Sequence, residues 1–363
     1  VNGRPFESQL GRPLLQVGFT LVELMVAMVV GLIVMAGIGQ IFIHSKRSAA
    51  LQDELSMLQE NGRYAMQLLR NDILDAGYLG CGHVASLADS IRSTGSYADN
   101  FTVGVNGYEA SSSGWIPPLP PELDDPAIGS DDVLPGTDVI TVRYAEGDGL
   151  RMTQPKDSYL FRVTNLSTEA GACAGGTDSY SGLCAGDLMI VSDCTKARTF
   201  VIQGLHVGGG SLAIYHDNPA WGDASDLEPA NHFNPAYSYL FKATTVSYFI
   251  HMRDPASGVP SLYRKVGNGA PEELVEGVEN MQILYGVDSD GDNIPNQFLH
   301  ADSVGNFQRV VSVRVALLLR TITEKANRPA SAKNIKLLDT ELTTPADRHV
   351  RRVFGFTVRI RNQ

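Results

Sequence analysis

Residues 19–43 read FTLVELMVAMVVGLIVMAGIGQIFI, and this stretch decides the fold. Its 25 residues are nearly all apolar. As a helix rising 1.5 Å per residue they would run about 37 Å, enough to cross a hydrocarbon core of about 30 Å. The apolar core of an ordinary secretory signal peptide is only about 7–15 residues long. The run therefore reads as a membrane span, and cleavage at the weak small-residue site Ser48-Ala49-Ala50 is not expected. Glu23 breaks the apolar pattern. An acid in a span costs about 2.5–3.5 kcal/mol at the helix centre and less near an end, so it needs a function and a partner. No Lys, Arg or His lies between Phe19 and Ile43. A free α-amino group would serve. A cut after Gly18 would create one on Phe19, with a pKa of about 7.7–8.0. Glu23 lies four residues on, on the same helix face, and could equally meet the amine of a neighbouring chain.

Outward from the span, the helical pattern continues over 44–77. Leu51, Leu55, Leu58, Gly62, Ala65, Leu69 and Ile73 form one apolar face, with Asp53, Glu54, Gln59, Glu60 and Arg63 on the others. One helix of roughly 55–60 residues, half anchor and half scaffold, should stop near Gly77. The stripe is read as core packing against a sheet. Beyond it, residues 78–363 form a β-rich body. Strands are expected at Thr137–Ala145, Tyr159–Thr164, Asp187–Ser192, Thr199–Gln203, Leu212–His216 and Thr244–Met252. Others are expected at Ser261–Val266, Met281–Val287, Arg309–Thr321 and Arg352–Arg361. Turn signals such as Gly208-Gly209-Gly210 and Gly267-Asn268-Gly269 separate them and favour hairpins. The expected fold class is α+β: a long N-terminal helix packed on a largely antiparallel sheet. Residues 83–135 and 217–240 read as irregular insertions, the first holding the stiff Trp115–Pro121 run.

Composition narrows the function classes. The net charge of -11, without any Lys/Arg run, argues against a nucleic-acid partner. The four cysteines form no C-x-x-C pair, so zinc and thioredoxin-type chemistry lack support. Beyond a membrane they suit disulfides. Of the three possible connectivities, Cys173–Cys184, closing a short Gly-rich loop, and Cys81–Cys194, tying the helix end to the body, are expected. No nucleophile elbow, zincin motif, Walker loop or dinucleotide fingerprint occurs, and the histidines are dispersed. No catalytic residue is assigned and an enzyme is not expected.

Gly18-Phe19-Thr20-Leu21-Val22-Glu23-Leu24 resembles the processing site of type IV prepilins. The resemblance implies a leader over 1–18, cleavage by a prepilin peptidase between Gly18 and Phe19, and N-methylation of Phe19. It makes Glu23 the carboxylate that guides assembly. Charges flanking the span (Arg4, Arg12 and Glu7 before it, Lys46 and Arg47 after it) do not orient it. The resemblance places the leader in the cytoplasm and the body in the periplasm, held by one inner-membrane span, and later outside the cell in a pilus. Gly31, Gly37 and Gly39 would then mark close helix packing, or a segment that softens as the subunit enters a filament. Four patches of the body resemble minor pilins of the PilW type: Ala76–Cys81, Gly186–Cys194, Leu274–Glu279 and Arg351–Phe354. The implied partners are other minor pilins, the major pilin, the inner-membrane assembly platform and a pilus-tip adhesin. The implied role is to initiate or cap a pilus that serves twitching motility and adhesion. Competing readings are a pseudopilin of type II secretion and a tip adhesin displayed on a pilin anchor.

One candidate site lies outside the helix. Asp288-Ser289-Asp290-Gly291-Asp292-Asn293-Ile294-Pro295-Asn296 alternates carboxylates around a Gly, a pattern suited to a hard cation. It resembles thrombospondin type 3 repeats more than an EF-hand. That resemblance implies structural Ca2+ held by the side chains of Asp288, Asp290, Asp292 and Asn296 and the carbonyl of Ile294. The alternative is a polar hairpin turn, which uses the same residue types.

Overall fold

The computed structural model describes residues 20–80, 97–123, 133–154, 160–164, 170–173, 178–180, 182–193, 195–216, 233–252, 258–324 and 329–362. A single helix, α1, runs Leu21–Asp75 over 55 residues. The chain divides after Ser56: one unit is the N-terminal part of α1, and the other is the rest of α1 with the body.

α1 ends where the sequence loses its helical stripe and supplies glycine. Gly77 has a φ of 77°, a conformation that costs glycine nothing. Its N–H leaves the helix to donate to the Arg143 carbonyl at 2.9 Å, while Tyr78 N–H closes the last turn on the Asp75 carbonyl at 3.0 Å. Gly104 comes so close to this corner that a Cβ on it would lie 2.7 Å from the Gly77 backbone.

The body contains eighteen described strands. The first nine are β1 (Val105–Ser111), β2 (Gly114–Ile116), β3 (Val139–Arg151), β4 (Leu160–Thr164), β5 (Ala170–Ala172), β6 (Asp178–Tyr180), β7 (Leu188–Ser192), β8 (Ala197–Gly208) and β9 (Ser211–His216). The rest are β10 (Tyr239–His251), β11 (Ser261–Val266), β12 (Glu272–Glu276), β13 (Val278–Val287), β14 (Gln297–Leu299), β15 (Val310–Arg320), β16 (Asn334–Leu337), β17 (Thr340–Thr343) and β18 (Arg351–Arg359). A ten-stranded sheet has the order β2-β1-β3-β10-β7-β8-β9-β4, with β11 also on β10 and β12 on β11. A four-stranded sheet follows the order β14-β13-β15-β18. The hairpins β16–β17 and β5–β6 stand apart, and every described pairing is antiparallel.

β10 organises the larger sheet. Its start pairs with β7 through Tyr239–Lys242, its end with β11 through Val246–His251, and its other edge runs along β3. Its last residues are buried without alternation, the mark of a strand covered on both faces. The main core joins the helix stripe to both sheets. Leu58, Ala65, Leu69 and Ile73 pack with Val142, Tyr248 and Ile250 of the larger sheet and with Met281, Val315 and Leu317 of the smaller. The stripe begins later than the sequence pattern suggested: Leu51 is 37% exposed and Leu55 half-buried. A second core around Phe161, Phe200, Ile202 and Ile214 holds β4, β7, β8 and β9 together.

Part of 83–135 is not irregular. β1 and β2 form a hairpin there, and β1 extends the larger sheet along β3. Its seven residues, VNGYEAS, contain Asn, two small residues and Gly107, so neither β-propensity nor alternation marks them. Gly107 is demanded by packing, because a Cβ there would sit 2.3 Å from the Tyr285 hydroxyl. In the second proposed insertion, residues 217–232 lie outside the described residues, and β10 starts at Tyr239, five residues before the expected strand.

Candidate functional site

The N-terminal part of α1 starts on a cap. Thr20 Oγ1 accepts from the Glu23 N–H at 3.2 Å, and the Thr20 carbonyl accepts from the Leu24 N–H at 3.2 Å. Thr20-x-x-Glu23 is a capping-box spacing, with an acid in the first turn where the helix dipole is positive. Glu23 thus has a local electrostatic reason to sit in an apolar run. Gly18 and Phe19 lie outside the described residues.

From Leu21 to Ile43 large apolar side chains point outward on every side, with Leu32 70% and Met35 76% exposed. A helix apolar all round demands lipid or other helices. Added Cβ atoms on Gly31, Gly37 and Gly39 would meet no described atom within 4 Å. Nothing in the described chain requires glycine there.

The acidic loop joins β13 to β14. Asp288 is its organiser: Oδ1 accepts from the N–H groups of Asp290 (3.0 Å) and Gly291 (2.6 Å), and Oδ2 from Asn293 N–H (2.7 Å). The Gly291 bond in particular lowers its carboxyl pKa below the usual value. Gly291 and Asn293 take positive φ of 86° and 61° to make the bend. The donor atoms of Asp288, Asp290 and Asp292 lie within 4.8 Å of one another, so three hard oxygen ligands converge. Asn296, another of the expected ligands, bonds within the loop. Its Oδ1 accepts from Ser289 N–H (2.6 Å) and Ser289 Oγ (2.9 Å), and its Nδ2 donates to Asp290 Oδ2 at 3.2 Å. Ile294 N–H donates to Asp292 Oδ1 at 2.7 Å.

Within the body unit, polar clamps invisible to periodicity hold the helix and sheets. Asp72 of α1 accepts from Tyr144 OH (3.2 Å) and Tyr248 OH (2.6 Å), and Arg264 Nη2 stands 3.6 Å away. Burial, reinforced by that carboxylate, raises both tyrosine pKa values. Asp138 joins the two sheets, accepting from Ala110 N–H (3.1 Å) and Ile283 N–H (2.8 Å). Burial, with Glu109 nearby, pushes its carboxyl up to about 7. Cys173 and Cys184 are disulfide-bonded, whereas Cys81 and Cys194 lie outside the described residues.

Two families match the chain. Residues 17–39 match the prokaryotic N-terminal methylation motif, and residues 247–362 match PilW, the type IV pilus-assembly protein W. Over these two segments the chain resembles type IV pilus proteins, with a PilW-like region behind an N-terminal methylation motif. The PilW region takes in the end of β10, the acidic loop and the whole four-stranded sheet. Of the four body patches, Leu274–Glu279 and Arg351–Phe354 fall inside it, and Ala76–Cys81 and Gly186–Cys194 fall outside. A type IV-like pilin from Thermus thermophilus is a structural match at 11% identity and a TM-score of 0.29, covering 86% of this chain and 98% of that one. No curated protein matches the chain.

Proposed function

We propose that this pilin-like protein is a minor pilin that enters the type IV pilus through α1 and helps to initiate or cap the filament. One observation carries the reading: an outward-facing apolar helix, with a single acid at its capped start, runs without a break into the helix that scaffolds the body. Such a part can leave lipid only for another apolar environment, and packed neighbouring helices provide one. In this reading prepilin peptidase cuts between Gly18 and Phe19, Phe19 is N-methylated, and Glu23 meets the N-terminal amine of its own chain or a neighbour. The body is periplasmic before assembly and extracellular after it. Its partners are other minor pilins, the major pilin, the assembly platform and a tip adhesin. The role is structural, not catalytic. Deleting the gene should abolish or sharply reduce surface pili counted by electron microscopy, and the intact sequence should restore them. Normal pili together with failed export of folded proteins would instead favour a type II secretion pseudopilin.

The same reading includes structural Ca2+ in the loop 288–296. The convergence of three carboxylates supports it, since without a cation they repel one another. Asp288, Asp290, Asp292 and Asn296 would hold the ion through their side chains and Ile294 through its carbonyl. Calcium takes about 6–8 oxygen ligands, so backbone carbonyls and water would complete the shell. The ion would stiffen the link between β13 and β14.

A further inference from the structure

β18 ends the four-stranded sheet, and among the described residues no strand pairs with its outer edge. Ile360 N–H donates to the Val311 carbonyl (2.9 Å), and Thr321 N–H donates to the Val350 carbonyl (3.0 Å). Bonded positions alternate along an antiparallel ladder, and the β15–β18 register has no shift. The even positions therefore turn their backbone groups to β15. Arg351, Val353, Gly355, Thr357 and Arg359 turn theirs away. A long edge of this kind is a template for another chain, unless it is bulged, covered or guarded by charge. Here the guard is of one sign: residues 348–361 contain five arginines and no acid, in a chain with 40 acids and 29 Lys plus Arg.

A cleft of about 490 Å³ adjoins the first half of that edge, between β18 and the β16–β17 hairpin. Leu318, Ile335 and Val353 give it apolar surface, and Lys333 and Arg352 give it a cationic rim. Lys333 and Arg352 are exposed and have no carboxylate partner among the described residues. His349 Nδ1 is buried without a hydrogen-bond partner there. The local acids are already spent. Arg351 takes Glu279 through Nε (2.6 Å) and Nη2 (2.9 Å), and Asp347 through Nη1 (2.7 Å) and Nη2 (2.5 Å). The Arg351 bonds draw the Asp347 carboxyl down to about 2. An incoming anion would thus meet uncompensated positive charge.

We propose that the outer edge of β18 and its cleft bind an extended, acidic segment of a partner protein, which adds as a fifth strand to this sheet. The open edge supplies main-chain pairing, the cleft receives alternate apolar side chains, and the cations select acidic neighbours. Polypeptide is favoured over nucleic acid because only a backbone of N–H and C=O groups matches the edge. The inference rests on the body alone and does not depend on the chain's being a pilus subunit.

The test uses the full chain in detergent micelles. The probe is a fluorescein-labelled ten-residue peptide alternating Glu with Val and Thr, read by anisotropy. Controls are the same peptide with Pro at alternate positions and a DNA duplex. The alternating peptide should bind at least tenfold more tightly than either control. Lys333→Glu with Arg352→Glu should weaken it at least tenfold while the unfolding midpoint stays unchanged. In the unaltered chain, bound peptide should slow amide hydrogen exchange within 351–359, a reading that needs no variant. Equal binding of the Pro peptide, tighter binding of DNA, no peptide binding, or binding without slowed exchange in β18 would each overturn the proposal.

Discussion

The Phe354 ring of β18 occupies the space that a side chain on Gly62 would fill: a Cβ there would lie 2.6 Å from the ring. Gly62 thus sits in the helix stripe not for flexibility but for close approach, and it fixes where α1 rests on the smaller sheet. Replacing it with Ala would gain about 1 kcal/mol of helix propensity and would force a ring shift costing about 1–3 kcal/mol. The expected outcome is net destabilisation in denaturant unfolding of the full chain, partly reversed by adding Phe354→Leu. A Gly62→Ala chain more stable than the parent would contradict this packing.

Asp72 is the polar counterpart of that contact. Asp72→Ala should strand the buried hydroxyl of Tyr248 and weaken the hold on Tyr144, at a cost of about 1–3 kcal/mol per unsatisfied group. Asp72→Asn keeps an acceptor and should lose less. Equal losses in the two variants, measured by chemical denaturation, would show that the clamp is not the source.

Two groups make the body more stable on the acid side of neutrality. His300 lies between Glu109 (Nδ1 to Oε1, 2.9 Å) and Asp339 (Nε2 to Oδ2, 3.0 Å), and these carboxylates raise its pKa against the opposing effect of burial. Its contribution is full below the unfolded value near about 6.5 and is lost as pH rises through the higher folded value. Asp138, at about 7 when folded, binds its proton more tightly in the native state, so stability also falls between its ordinary value near 3.8 and about 7. Unfolding midpoints should therefore drop from pH 5 to pH 8. His300→Gln should flatten the upper part of that slope and Asp138→Asn the lower part.

The acidic loop separates a folding role from an ion-binding role. Asp288 makes three main-chain hydrogen bonds, so Asp288→Ala should destabilise the body with or without calcium. Asp292→Asn should matter only with calcium. A bound ion at 100 times its Kd adds about 2.7 kcal/mol of stability, visible as a rise in the unfolding midpoint and as terbium luminescence. No rise on adding calcium to the parent chain would remove the ion from this account.

Glu23→Ala should reduce recovery of the protein in sheared pili by at least tenfold while leader cleavage after Gly18 proceeds, both read on immunoblots. Normal incorporation would sink the assembly role and leave Glu23 as a helix-capping residue of the Thr20 box.

The sequence by itself determined the helix, the strands β3, β4, β7 to β11, β13, β15 and β18 in outline, and the acidic loop. Each rests on a local signal: apolar periodicity, β-branched alternation, or turn residues at fixed offsets. Gly77 was legible as the helix stop because a glycine, which takes positive φ freely, comes about one turn after the last stripe position, Ile73. Tertiary structure decided what local signals do not encode. β1 is a strand because β3 offers it a partner, not because VNGYEAS prefers extended backbone. Asn296 braces Ser289 because the loop folds back on itself. The Asp72 and Asp138 clamps join residues 28 to 176 positions apart only after the sheets have brought them together. The open edge of β18 is likewise a property of strand order. Strand order is set by long-range pairing and core packing, which no window of sequence contains.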